Sequence, residues 1–370
     1  LVQPDQEIDM TGYRRIVIVG CAILCYISLG TFQNSFAQDH KTLAKEIAQG
    51  WFSEQIISVK SDGPSEVSVE ISEISNNAGQ LYLARNQEAG FLIFYIIDNK
   101  PDIIGYSLDS KFPDNTEHPI VNEWLEIAQP SANHVSSPST NIVNNYRLKT
   151  MQDVTIEPLI EARWGQGIPW NRFCPIDADG DKAPVGCVAV AMGQIMNKWQ
   201  WPKRGYGSNA YTPSNYPRYG EQYADFDTLY QWQEMHPSES TEASAFLLYH
   251  AGVASYMNYG PKESGANTAV YAPEALKTNF RYYKGIQVRE KERYLENDWF
   301  SMLRQELING RPLIYFGANP DGGSGHAFNI DGFHSESYFH FNWGWNGTGN
   351  GYFRLENMAA AGANYTKGQA

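Results

Sequence analysis

Cysteine is scarce in this chain, with four thiols in 370 residues, at Cys21, Cys25, Cys174 and Cys187. That number and spacing exclude a small scaffold held together by a disulfide framework. Basic charge is also short: 28 Lys and Arg stand against 41 Asp and Glu, a formal net charge of −13. No basic stripe is available to neutralise phosphates, which excludes duplex nucleic acid as a partner. Internal repeats and heptads are absent, so neither a solenoid nor a coiled coil is expected. What remains is a folded, aromatic-rich chain, 14% Phe, Trp and Tyr, long enough for two domains with separate cores.

An apolar stretch from Ile16 to Phe32 follows Arg14 and Arg15 and ends at Ser35-Phe36-Ala37. A charged start, an apolar middle and a small-x-small site are the parts of a secretory signal peptide. Residues 10–37 are read as that signal and residues 1–9 as an upstream extension. The alternative is a retained anchor, although membrane helices usually need about 20 apolar residues. Signal removal takes Cys21 and Cys25 away and predicts a secreted protein with no stable membrane association. Cys174 and Cys187 stay, and one disulfide between them is arithmetically open.

Residues 38–150 read as a small α+β unit. A helix is expected around Leu43–Phe52, strands at Glu66–Ile71, Gln80–Ala84, Phe91–Ile97 and Ile103–Ser107, and a second helix at Pro119–Ala128. The following segment, Pro130 to Asn145, is rich in Pro, Ser and Asn and nearly free of charge, as linkers are. It fits a cleavable propeptide junction or an ordinary interdomain loop. Residues 151–370 form the second unit. Helices are expected from Cys187, with Val188, Met192, Ile195, Met196 and Trp199 on one face and Pro202 at the end, then at Ser240–Tyr256 and Pro273–Phe280. Strands follow at Pro312–Phe316, His326–Ile330, Tyr338–Trp343 and Gly351–Leu355. Helices first and antiparallel strands later indicate an α+β fold.

Cys187 opens its helix, where unpaired N–H groups and the helix dipole favour a thiolate. A thiolate needs a base, usually histidine. His326 follows the Gly-rich Asp321–Gly325 run and begins an alternating strand, 139 positions after Cys187 (326 − 187). Asn342 and Trp343 end the next strand, where antiparallel pairing brings them beside the imidazole. An amide oxygen there orients the ring and an indole shields it from water. Core packing is the ordinary fate of Trp343 and Trp345, and both roles are compatible.

Four segments in order carry a family resemblance: Trp164-Gly-Gln-Gly-Ile-Pro-Trp-Asn, Val185-Gly-Cys-Val-Ala-Val-Ala-Met-Gly-Gln-Ile-Met, Gly325-His-Ala-Phe-Asn-Ile-Asp-Gly and Phe341-Asn-Trp-Gly-Trp-Asn-Gly. They resemble the streptopain family of bacterial secreted cysteine proteases. Gly90-Phe-Leu-Ile-Phe-Tyr through Ile104-Gly-Tyr-Ser is similar to that family's inhibitory prosegment. The resemblance implies a papain-like catalytic domain, with a helical lobe and an antiparallel β lobe, preceded by a small α+β prodomain. It implies a zymogen that hydrolyses protein and peptide substrates, prefers an apolar residue before the scissile one, and is inhibited by its own propeptide without any cofactor or metal.

By the same resemblance Cys187 is the nucleophile and His326 the base and then the acid. Gln166 and the Cys187 N–H would be the oxyanion donors, and either Asn342 or Trp343 orients His326. Gly325, Gly265, Ser264 and Trp345 would line the substrate. The chain departs from the family pattern at Val185, Val190, Gly193 and Trp170, none of them a catalytic group, and its end at Lys367–Ala370 suggests a missing closing strand. Asp177-Ala-Asp-Gly-Asp181 starts like a calcium loop but has Val188 where the bidentate glutamate would stand, which excludes an EF-hand. An acidic turn or a single-ion surface site remains. Two rival functions use the same residues differently: a Cys-His acyl or amide transferase, and a non-catalytic secreted binding or inhibitor protein.

Overall fold

A computed structural model describes residues 40–59, 67–76, 79–87, 90–113, 125, 128, 154–318, 325–335 and 337–355. The expected signal segment, the 130–145 linker, most of the 119–128 helix, the Gly-rich residues 321–324 and the chain end lie outside the described residues. The first element is the helix α1 (His40–Val59), followed by strands β1 (Val69–Asn76), β2 (Gly79–Asn86), β3 (Phe91–Ile97) and β4 (Lys100–Ser107). These strands form an antiparallel meander. Successive side chains of β2 and β3 point to opposite faces, and both faces are apolar. Tyr82, Ala84, Leu92 and Phe94 meet Ala44, Ala48 and Phe52 of α1. Leu81, Leu83, Ile93 and Tyr95 join a second core that includes Phe328, Phe341 and Phe353. Each fully buried side chain of this size stabilises the fold by about 1.5–3 kcal/mol.

The second half begins with the helix α2 (Cys187–Trp199) and the short strands β5 (Ser208–Tyr211) and β6 (Gln222–Asp225). Helices α3 (Glu242–Ala254), α4 (Thr268–Thr278) and α5 (Glu296–Ile308) follow, then strands β7 (Leu313–Ala318), β8 (Gly325–His334), β9 (Tyr338–Asn342) and β10 (Gly351–Arg354). α2 packs against α3 and β8, and its apolar residues Val188, Val190, Met192 and Met196 anchor a helical-lobe core with Trp164, Leu247, Leu248 and Tyr259. Trp199, expected on that buried face, is 47% exposed, because the helix turns out of the core at its left-handed cap Gln200 (φ 46°, ψ 46°). α4 starts five residues before the expected Pro273. Asn267 caps it by accepting the Val270 N–H at 3.2 Å, so the proline lies within the helix rather than at its first turn. α5 is a helix beyond those expected from the sequence, and its residues Trp299, Phe300, Leu303 and Leu307 recur at helical spacing and are buried.

All strands except β5 and β6 belong to one eight-stranded sheet in the order β1-β2-β3-β4-β10-β9-β8-β7. β4 pairs with β10 through Tyr352↔Tyr106 and Phe353↔Gly105, so the N-terminal meander extends the sheet that carries His326. A Cβ on Gly105 would lie 2.5 Å from the Phe353 ring, so the close approach requires glycine. On the opposite face, Tyr106 stacks on Tyr352 with ring centroids 5.4 Å apart. Its hydroxyl lies 2.7 Å from His334 Nδ1. The buried Asp102 carboxylate meets Arg354 at 2.8 Å, and the Tyr338 hydroxyl donates to the Ile103 carbonyl at 2.8 Å. The fold is thus α+β, a helical lobe and an antiparallel β lobe with an N-terminal meander on the sheet.

Candidate active site

Gly186 precedes α2 with φ 91°, a backbone conformation that side chains disfavour. A Cβ there would also lie 2.5 Å from Met257 Sδ and 3.0 Å from the Ser264 carbonyl oxygen. The absence of that atom lets α2 begin against the 257–264 segment with Cys187 in its first position. The backbone N–H groups of Ala327, Val188 and Cys187 face the sulfur and favour its thiolate form, so it lies beside the residue next to His326. Burial pushes the Cys187 thiol up, the three N–H groups pull it back, and Glu263 adds to the rise. This differs in direction from the helix-start expectation, because a thiolate removed from water loses more than a helix end returns unless a cation joins it.

His326 is buried at the mouth of β8. Its Nε2 lies 2.8 Å from the Trp343 carbonyl oxygen. A carbonyl only accepts, so Nε2 carries the proton in this arrangement. The Trp345 ring lies 5.0 Å and the Trp343 ring 6.0 Å from the imidazole. The two indoles stack on each other at 5.1 Å and 5°. Trp345 is 5% exposed and its ring covers the imidazole. Asn342 points elsewhere: its Nδ2 donates to the Ala162 carbonyl at 2.9 Å and its Oδ1 accepts from Gln194 Nε2 at 3.0 Å. The main chain of Trp343, and not the Asn342 amide, meets the ring.

Gln166 lies alongside the approach to Cys187, its carbonyl accepting the Val185 N–H at 2.8 Å. The other side of this segment is closed by Asn346, whose N–H donates to the Trp164 carbonyl at 3.2 Å and whose Oδ1 accepts the Trp170 indole N–H. Together with the His326–Trp343 contact, these bonds join all four motifs. Ser264 is buried and donates its hydroxyl to the Pro184 carbonyl at 2.7 Å. Gly265 is exposed with open space beside it, and Gly325 is exposed at the start of β8, paired with Ala318.

Residues outside the sequence reading also reach the site. Gln194, Asn329 and Asn350 are buried, and Asn350 Oδ1 accepts the Trp343 N–H at 3.1 Å. The available signal was an amide placed inside an apolar run, Gln194 in α2 and Asn329 in β8. Cys174 and Cys187 are both free thiols. In the acidic turn, Asp177 Oδ1 accepts the Asp179 and Asp181 N–H groups at 3.1 and 2.9 Å, and Arg218 Nε meets Asp177 Oδ2 at 3.0 Å. Among the described residues no group of three or more His, Cys, Asp or Glu is arranged to hold a metal ion, and no helix is long and apolar enough to cross a membrane.

Comparison with known proteins agrees with this geometry. The Peptidase C10 family model matches residues 164–353. The chain is 31% identical over 293 residues to the thiol protease/hemagglutinin PrtT of Porphyromonas gingivalis, covering 73% of this chain and 33% of that protein. It thus spans about a third of that relative's length. It is 28% identical over 382 aligned positions to streptopain of Streptococcus pyogenes serotype M28, covering 91% of this chain and 92% of that one. Among solved structures, a prointerpain A fragment of Prevotella intermedia superposes with a TM-score of 0.64 at 27% identity, over 82% of this chain and 97% of the fragment. Active interpain A from the same organism gives 0.52 at 32% identity, over 61% of this chain and 93% of that one. With its papain-like lobes, its thiol at the head of α2 and a family match across more than half of its length, the chain belongs to the Peptidase C10 family, the cysteine-type peptidases that include streptopain.

Proposed function

We propose that this chain is the zymogen of a secreted cysteine endopeptidase with Cys187 as nucleophile and His326 as base. One arrangement carries the reading: the Cys187 sulfur lies against the Ala327 N–H, next to a histidine whose Nε2 is held by the Trp343 carbonyl. With Nε2 bonded there, Nδ1 is the nitrogen that takes the thiol proton, and the resulting imidazolium offsets the burial that disfavours the thiolate. The thiolate attacks the scissile carbonyl carbon. The Cys187 N–H and the Gln166 side-chain amide receive the oxyanion. The imidazolium protonates the leaving amine as the C–N bond breaks, which leaves a thioester on Cys187. Water, deprotonated by His326, then attacks the thioester and returns the free thiol and a carboxylic acid.

A preference for an apolar residue one position before the scissile one belongs to the same proposal. Residues 38–150 act as the inhibitory prosegment and residues 151–370 as the protease domain. In support, the Gly349 N–H donates to the Lys111 carbonyl at 2.7 Å and Asp109 pairs with Arg163 at 2.8 Å, beside the loop that holds Trp343 and Trp345. Export through residues 10–37 belongs to the same proposal.

The test follows full-length wild type and Cys187→Ala under reducing conditions by gel and intact mass. Wild type should shed the chain up to the 130–145 linker and then cleave an added peptide, while Cys187→Ala does neither. If neither protein is processed and wild type also ignores a thiol-directed peptide electrophile, the proposal is wrong.

A further inference from the structure

Three buried amides join the parts of the site. Gln194 lies on α2 two turns beyond Cys187, Asn329 on β8 three residues after His326, and Asn342 at the end of β9 immediately before Trp343. Asn342 is 1% exposed and the other two are fully buried. Gln194 Nε2 donates to the Ala162 carbonyl at 3.1 Å and to Asn342 Oδ1 at 3.0 Å. Gln194 Oε1 accepts from Asn329 Nδ2 at 2.8 Å, and that Nδ2 also reaches the Ala191 carbonyl at 3.2 Å. Asn342 Nδ2 donates to the same Ala162 carbonyl at 2.9 Å.

The orientation of each amide follows from its partners. Main-chain carbonyls only accept, so Nε2 of Gln194 and Nδ2 of Asn342 must face Ala162, which leaves Gln194 Oε1 to accept from Asn329 Nδ2 and Asn342 Oδ1 to accept from Gln194 Nε2. Gln194 uses both of its donor hydrogens and its acceptor, and no other side chain of the network contacts both remaining amides. Ala162 lies four residues before Gln166, so one glutamine ties together the elements bearing the thiol, the imidazole, the Trp343 carbonyl and the oxyanion glutamine.

From this geometry we infer that Gln194 is a positioning residue for the peptidase reaction, fixing the spacing between the Cys187 sulfur and the His326 ring through Asn329 and Asn342. The inference rests on the peptidase reading above. An apolar core would hold α2 against β8 just as firmly, but it would let the helix slide along the sheet. Directional bonds in a dry interior resist such a slide. A displacement of about 1 Å between reacting groups can cost on the order of 100-fold in rate.

The test uses Gln194→Met, which keeps the length and removes every hydrogen bond, and Gln194→Glu. In the self-processed enzyme Gln194→Met should lower kcat by about 10- to 100-fold with KM within about twofold. In the full chain, the pH dependence of Cys187 alkylation should move in the same variant. Gln194→Glu keeps a donor and an acceptor when protonated, but as a carboxylate it faces the Ala162 carbonyl and Asn342 Oδ1. It should therefore act like wild type in acid and lose activity at a lower pH than wild type does. Thermal unfolding of each variant separates this from simple loss of fold. Unchanged alkylation and turnover profiles in both variants, or losses that match only the unfolded fraction, overturn the inference. If wild type cleaves no peptide, the peptidase reading fails, and the alkylation profiles still decide whether Gln194 sets the thiol's environment.

Discussion

The two cysteines of the described fold show how position decides thiol chemistry. Cys174 is 4% exposed, and burial pushes its thiol from an ordinary 9.0 up to about 12, with Lys182 and Tyr259 pulling back. Cys187 is also pushed up by burial, but three backbone N–H groups converge on its sulfur. The proposed nucleophile is therefore the second, since a thiolate needs donors and a base. Cys174 also makes stability depend on pH. Its folded pKa lies above its unfolded one, so the native state holds the proton longer. Its contribution is complete below about pH 9 and is lost as pH climbs toward 12, at up to about 1.4 kcal/mol per pH unit. Urea unfolding between pH 8 and 10, in a Cys187→Ala background that prevents self-cutting, should give a shallower decline for Cys174→Val than for its parent. Equal slopes would show that Cys174 does not titrate this way.

At the scale of elements, the junction between β4 and β10 rests on few residues. Two strand pairs join them, and the Asp102–Arg354 ion pair closes one side with side chains 0% and 13% exposed. Removing one member of a buried pair leaves a charge without its partner, which typically costs about 3–5 kcal/mol. Asp102→Ala in the Cys187→Ala background should therefore lower the unfolding free energy of the N-terminal meander by that order. In an otherwise wild-type chain it should speed self-processing. A processing rate equal to wild type, with the meander measurably weakened, would show that the β4–β10 junction does not govern access to the linker. Phe353 over Gly105 and Tyr106 among Tyr352, Tyr338 and His334 make the same junction sensitive to bulk on either face.

Across the described residues, the eight-stranded sheet joins the N-terminal meander β1–β4 to the C-terminal strands β7–β10. One apolar core contains Phe91, Ile93 and Tyr95 from the meander together with Phe328, Phe341 and Trp343 from the catalytic side. Cutting the linker removes none of these contacts. When Cys187→Ala protein is nicked in residues 130–145 by an added protease, the two pieces should therefore co-elute on gel filtration in neutral buffer. They should separate in moderate urea, and at a lower concentration for Asp102→Ala. Immediate separation of the nicked pieces in buffer would mean that covalent linkage, not the shared sheet, holds the unit in place.

Local pattern was enough to find much of this protein. The apolar run after Cys187, the alternation in His326–Ile330 and the four strands of the meander are periodic signals, and burial of one face or both is what enforces them. The order of the four motifs identified the family, because each carries residue types that the chemistry requires. α5 escaped because no side chain caps its start, and the start of α4 escaped because Pro273, inside the helix, reads as a first-turn proline. Other features could not be read from any window of sequence. That β4 would join β10, that the Trp343 carbonyl and not the Asn342 amide would meet His326, that Trp345 would lie over the imidazole and that Gln194 would bind Asn342 and Asn329 all depend on contacts between distant segments. A backbone carbonyl has no residue type to betray its role, and a buried amide takes its partners from whatever the packed core leaves within reach. The sequence by itself therefore determined which groups could do chemistry, and only tertiary packing decided which atoms face one another.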